Sequence, residues 1–203
     1  MSTLGDMKSR IYSEVHQTLS TEVQNAVLDA VKFYQGQRFY FNEAQVNFNF
    51  SLTTSYVLSN IIPKMVAIDT LKIWQNAVPY LVERQSWMQI DSWDYETGSS
   101  NTPTDYAIHH ESLRLYPPPS VTLSAQANYH KSITLSASNS ASAVWTNEAS
   151  DLIRYRAKGL LYSSVLLDPQ QAQVEQVLEM QVLNRLMSRT VKMISSGKVK
   201  GYL

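Results

Sequence analysis

The sequence predicts an α+β fold, with helices at both ends of the chain and an antiparallel β region, a small sandwich or barrel, between them. Three observations predict it. Apolar residues recur at three- and four-residue steps from Leu4 to Tyr34, they alternate at period two from Val46, and helical spacing returns after Thr146. With 203 residues, 44% of them apolar, the chain reads as one or two domains. A chain of this size buries roughly 70% of its unfolded surface, so it needs no disulfide or metal to hold a core.

At the N-terminus, Leu4, Met7, Ile11, Val15 and Leu19 fall on one stripe of a helix, and Val23, Val27, Val31 and Tyr34 on the stripe of a second. Ser20 is a plausible N-cap for the second, because its hydroxyl accepts an unpaired first-turn amide, and Gly36 ends it. Val46, Phe48, Phe50 and Leu52 then alternate with Asn47, Asn49 and Ser51 as in a half-buried strand. Further strands are predicted at 66–74, 78–83, 105–109, 113–116 and 121–129, with Gln75-Asn76-Ala77 and His110-Glu111-Ser112 as hairpin turns.

Trp93 to Pro103 is polar and turn-rich and reads as a protruding loop. Pro117-Pro118-Pro119 has no amide to donate and ends a strand in a stiff corner. Ser132 to Ala143, almost all Ser, Ala and Asn, is too small and polar to bury much surface and reads as a flexible loop. Thr146 is a predicted N-cap for a helix to about Leu167. Asp168-Pro169 starts another, with the stripe Val174, Val177, Leu178, Leu183, Leu186, Met187, Val191 and Ile194. The predicted domains are 1–44, a helical hairpin; 45–143, the β region; 144–194, the C-terminal helices; and 195–203, an extended basic tail.

Composition excludes several functions. The chain has no Cys, which removes thiol enzymes, zinc fingers and disulfide frameworks. Seventeen Lys and Arg balance seventeen Asp and Glu, so the electrostatic footprint of a dedicated nucleic-acid binder is missing. No apolar run approaches the roughly 20 residues that span a bilayer, and the first residues lack a secretion signal, so the expectation is a soluble protein without a membrane anchor, made in a cytoplasm. There is no Gly-rich phosphate loop, nucleophile elbow or paired-His zinc motif. Of His16, His109, His110 and His130, the adjacent pair would point to opposite faces of a strand and could not share an ion. No cofactor is expected.

Two constellations remain. Glu83, Asp91, Asp94 and Glu96 lie near Trp87, Trp93 and Tyr95, a composition that suits a carbohydrate cleft, where a hydrolase needs one protonated and one ionised carboxyl. Solvated surface acids are the plainer reading. The spacing does not fit a calcium loop. After Glu179 no acidic residue follows, whereas Arg185, Arg189, Lys192, Lys198 and Lys200 do. Helix-dipole chemistry accounts for the cations of the last turn, but not for Ser195 to Leu203. That tail is either disordered or folds onto a partner with an acidic or groove-like surface.

The run Phe33-Tyr34, Arg38-Phe39-Tyr40-Phe41-Asn42-Glu43, Tyr106-Ala107-Ile108, Leu113-Arg114-Leu115-Tyr116-Pro117, Trp145-Thr146-Asn147-Glu148-Ala149, Asp151-Leu152-Ile153, Leu161-Tyr162 and Asp168-Pro169 resembles the head-to-tail adaptor proteins of tailed, short-tailed-type bacteriophages. The matches occur in order over about residues 4 to 190. The resemblance implies a non-enzymatic virion subunit: a helical bundle built from both chain ends, with an inserted antiparallel β-sandwich or barrel-like domain. It implies a homo-oligomeric ring, a dodecamer matching the portal, at the head–tail neck. That ring prolongs the channel for double-stranded DNA and docks the tail nozzle protein. The family's C-terminal segment reaches into the portal protein, which makes Lys192, Lys198, Val199, Lys200, Tyr202 and Leu203 the candidate portal-binding residues. The alternatives are a peptidoglycan-cleaving activity carried by the same adaptor, and another neck or tail-completion protein.

Overall fold

The computed structural model describes residues 3–15, 20–96, 102–140 and 144–196, with side chains omitted at 94–96 and 194–196. It is a mixed α+β chain that divides into two compact units: Met1–Asn42 together with Ile133–Leu203, and Glu43–Ser132.

The first unit holds α1 (Leu4–Glu14), α2 (Ser20–Tyr34), a short 3-10 turn (Tyr40–Asn42), α5 (Val144–Asn147), α6 (Ser150–Ser164) and α7 (Pro169–Ser196). Thr3 and Asp6 cap α1 reciprocally. The Asp6 amide donates to the Thr3 hydroxyl at 3.1 Å and the Thr3 amide to the Asp6 carboxylate at 2.8 Å, which holds the Asp6 carboxyl below its usual range. The predicted stripes of α1 and α2 are buried as far as Val15 and Tyr34, while Leu19 lies outside the described residues. They meet Leu152, Ile153, Ala157 and Leu161 of α6 in one core. Ser20 opens α2 as its first helical residue rather than capping it. Gly36 lies two residues past the end of that helix and does not take a left-handed conformation.

Trp145 is fully buried at the centre of this unit. Phe39 and Phe41 meet it edge-on, at centroid distances of 6.0 and 5.3 Å, and its indole N–H donates to the Ile133 carbonyl at 2.6 Å. That bond corrects the reading of 132–143 as a loose loop. Leu135 is buried, and the Asn139 carbonyl accepts the Gly5 amide at 2.9 Å, so backbone polar groups tie down a segment whose side chains looked uncommitted. Residues 141–143 lie outside the described set. Thr146 is not a cap: it is buried inside α5, and Ala149 precedes α6 without a side-chain cap bond.

Asp168 does cap α7, its carboxylate accepting the Gln171 amide at 3.1 Å. The stripe predicted for that helix is right only in part: Leu186 is buried and Leu183 packs against the core, but the rest of the inner face is not purely apolar. Its buried positions are Ala172, Glu175, Glu179, Leu186 and Thr190, and Val174, Val177, Met187 and Val191 are exposed. The carboxylates turn inward because each finds a cation. Glu175 meets the Lys158 ammonium at 2.8 Å, and Glu179 accepts the Tyr34 hydroxyl with the Arg156 guanidinium at 3.5 Å.

Between α6 and α7, Leu167 sits at φ +53° and is 77% exposed, in a turn closed by Asp168 N–H donating to the Tyr162 carbonyl at 2.8 Å. A leucine in this left-handed conformation is strained where glycine is not. Leu167→Gly is therefore expected to raise unfolding stability by about 0.5–1 kcal/mol, read as a higher urea midpoint at unchanged slope.

The second unit is one curled seven-stranded sheet, in the order β1-β7-β3-β4-β5-β6-β2. Its strands are β1 (Glu43–Phe50), β2 (Ser55–Val57), β3 (Met65–Gln75), β4 (Val78–Arg84), β5 (Asp105–His109), β6 (Ser112–Tyr116) and β7 (Leu123–Lys131), with α3 (Leu58–Ile61) and α4 (Trp87–Glu96) between them. All pairings are antiparallel except β4 with β5, so the expected all-antiparallel arrangement is corrected at that pair. The crossover that carries α4 returns the chain in the same direction, which is what makes the pair parallel. Phe50, Leu71, Ile73, Leu113 and Leu115 centre its core, whereas Leu52, expected on the inward face, lies beyond β1 and is 65% exposed.

Two local readings change here. Trp93 to Glu96 belongs to α4, not to a loop; Ile90 anchors the helix at full burial and the Ser86 hydroxyl accepts the Gln89 amide at 3.2 Å, while residues 97–101 lie outside the described set. His110 has left the strand for a turn at φ +53°, so its ring stands 4.2 Å from that of His109 instead of on the opposite face.

Candidate assembly surface

The outer side of α7 is the most extended apolar feature of the first unit. The helix has 28 residues, about 42 Å at 1.5 Å per residue. Its inner side is fixed by the pairs just described and, near its end, by Thr190, which accepts the Tyr40 amide at 3.2 Å. That leaves Val177, Met180, Met187 and Val191 exposed, with Asn184 between them, at steps of three, four, three and four residues. This is the a/d spacing of a coiled-coil seam, and the residues beside it, Gln181 and Ser188, carry no charge. Sequence reasoning missed the seam because it merged the seam with the core stripe, although the three–four spacing was there to be counted.

The C-terminal half of α7 is basic. Arg189 lies over the Tyr40 ring at 4.3 Å and 3.4 Å from the Glu148 carboxylate, which also accepts the Tyr40 hydroxyl. Burial, then the Glu148 hydrogen bond and charge, push the Tyr40 hydroxyl up to about 12. Arg189 is thus committed to the fold. Arg185 and Lys192 are exposed on the same half of the helix. Of the six predicted portal-binding residues, Lys192 stands in this position, and Lys198, Val199, Lys200, Tyr202 and Leu203 lie outside the described residues.

The carboxylates proposed from sequence are distributed over two elements of the second unit. Glu83 is on β4, exposed, and its amide donates to the Thr104 carbonyl at 2.8 Å. Asp91 is on α4 as the anionic partner of Arg114. Asp94 and Glu96 belong to the last turns of α4, where side chains are not described. The aromatic residues lie against the β5–β6 hairpin: Trp87 is 5.3 Å from His109 and 5.6 Å from the Arg114 guanidinium, and Trp93 is 5.2 Å from Tyr116. Both rings are half-buried and tilted against these neighbours, and the Asp91 carboxylate is engaged in the ion pair with Arg114. Among the described residues, no three of His, Asp and Glu come together as metal ligands. No helix among them is long and apolar enough to cross a membrane.

No protein-family model matches the chain, and comparison with curated proteins finds no match.

Proposed function

We propose that this chain is a structural head-to-tail adaptor of a tailed-phage virion, one wedge of a ring beneath the portal whose lumen continues the DNA channel and whose far side docks the tail nozzle. On this reading the helices from the two chain ends form the bundle that lines up around the ring, twelve copies matching the portal. The observation that carries it is α7, a 28-residue helix whose outer side is an apolar seam and whose basic end runs on into the tail. An exposed seam of this kind suits association rather than turnover. The ordered resemblance from Phe33 to Pro169 supports the same reading. The peptidoglycan-cleaving alternative draws less support, because Asp91 is bound to Arg114 and the candidate tryptophans are packed on the sheet.

The chain's neutral balance is compatible with a duplex sliding past it, since few phosphate contacts are exchanged for counterions. Deleting residues 195–203 is expected to abolish co-sedimentation with portal rings and leave the far-UV circular dichroism unchanged. Undiminished binding would remove the tail from the portal contact. Imaging the neck of the particle tests the whole reading, because the chain must occupy the ring directly below the portal.

A further inference from the structure

We infer that His109 and His110 together form a binding site for one divalent transition-metal ion, copper(II) before nickel(II), at the tip of the β5–β6 hairpin. The inference goes beyond the ring reading and does not depend on it.

The backbone makes the pair. Consecutive residues of a regular strand point to opposite faces and cannot share an ion. Here β5 ends at His109, and His110 is the first corner of the two-residue turn His110-Glu111, at φ +53°. That left-handed conformation swings the second imidazole round to the first, so the ring centroids stand 4.2 Å apart with 67° between the planes. A residue other than glycine is uncommon at positive φ, and strain of this kind collects where a side chain has to be aimed.

The surroundings hold the rings and leave their nitrogens free. His109 pairs with Ser112 to close the hairpin, and the Glu111 carbonyl accepts the Leu58 amide at 2.7 Å, which pins the turn. Trp87 lies against His109 at 5.3 Å. Both imidazoles are exposed, and neither ring is hydrogen-bonded to a described residue. Arg114, also against the Trp87 ring, is neutralised by Asp91.

The spacing selects the metal. With metal–nitrogen bonds of about 2.0–2.1 Å and about 1.1 Å from nitrogen to ring centre, two imidazoles on one ion have centroids about 4.5 Å apart at a right angle and about 5.2 Å apart in a tetrahedron. The observed 4.2 Å is close to the right-angled value and about 1 Å short of the tetrahedral one. Right-angled nitrogen ligation is the habit of copper(II) and nickel(II), and copper(II) binds more tightly in the general order of divalent ions. Magnesium and calcium, which take oxygen ligands, do not fit. No third His, Asp or Glu among the described residues joins the pair, so the other equatorial positions are left to water.

Calorimetric titration of the full-length protein with copper(II) chloride is expected to show one site, which nickel(II) occupies more weakly and magnesium not at all. His109→Gln and His110→Gly are each expected to lower copper affinity at least about ten-fold, since even outer-shell partners of a metal ligand are worth about 10–100-fold. His110→Gly also relieves the left-handed corner, so its urea midpoint is expected to hold or rise while the metal is lost. Loss of binding in that variant is therefore not loss of fold. His16→Gln is expected to keep the parent affinity. Electron paramagnetic resonance of the copper complex is expected to give a tetragonal signal with two equatorial nitrogens, one from each ring. A single nitrogen, or parent affinity in either His109→Gln or His110→Gly, overturns the inference.

Discussion

Lys158→Met is expected to destabilise the helical unit by about 3–5 kcal/mol, because removing one partner of a buried ion pair leaves the other charge without compensation. The ammonium of Lys158 lies 2.8 Å from Glu14 and 2.8 Å from Glu175, and Glu175 is only 5% exposed. Its second carboxylate oxygen already has no hydrogen-bond partner. Adding Glu175→Leu to Lys158→Met replaces the buried pair with apolar groups and is expected to recover most of the loss, to within about 1–2 kcal/mol of the parent. Urea denaturation followed by circular dichroism measures both, and a double variant as unstable as the single one would show that packing, not the stranded charge, set the cost.

The same pair fixes the alkaline limit of stability. Burial lowers the Lys158 pKa, but hydrogen bonds and charge from Glu14 and Glu175 outweigh it, and the ammonium is held above its ordinary 10.5. Tyr40, at about 12 against an ordinary 10.0, shifts in the same direction. In both cases the folded state holds its proton more tightly than the unfolded state. Their contribution is complete below the unfolded pKa and is lost as pH rises through the folded one. Stability should accordingly decline from about pH 10 upward, with Tyr40 losing its proton near the end of that decline, visible as delayed tyrosinate absorbance.

Trp145→Ala is expected to cost about 3–5 kcal/mol, the range for truncating a fully buried aromatic residue. The loss combines the cavity, the edge-on contacts to Phe39 and Phe41, and the Ile133 carbonyl left without its donor. Trp145→Phe separates these effects. It keeps most of the apolar area and forfeits the hydrogen bond, so about 1–2 kcal/mol is expected, partly from lost volume. Equal losses for the two variants would mean that the indole N–H dominates.

How far the fold could be read from the residues depended on what each segment buries. Six of the seven strands were legible, since period-two alternation bounded by turn residues admits few alternatives: β5, for instance, begins and ends at Asp105 and His109 as predicted, whereas β2, three residues long, is too short to show a period. α1 and α2 were legible for the matching reason, that their buried faces are purely apolar. α7 was located, and Leu183 and Leu186 of its predicted stripe face the core, but Val174, Val177, Met187 and Val191 do not. A hydrophobic stripe treats every carboxylate as outward-facing, and whether Glu175 and Glu179 can turn inward depends on Lys158, Tyr34 and Arg156, which lie remote in sequence. α4 went unread because a single deep anchor, Ile90, makes no period. The parallel β4–β5 pair is likewise invisible to local pattern, which carries no strand direction. In the candidate site, the basic end of α7 was visible as a run of charges, whereas the seam beside it could be told from core only once the inner face was known.

The inserted unit enters and leaves through neighbouring strands: Glu43, at the start of β1, is paired with His130 near the end of β7. Paired residues in an antiparallel ladder have Cα atoms about 4.5–5.5 Å apart, so the two splice points of residues 43–132 form a narrow neck that a tight turn can bridge. Topologically this makes the sheet a cassette. It can be lengthened, traded or excised without rerouting the helices on either side.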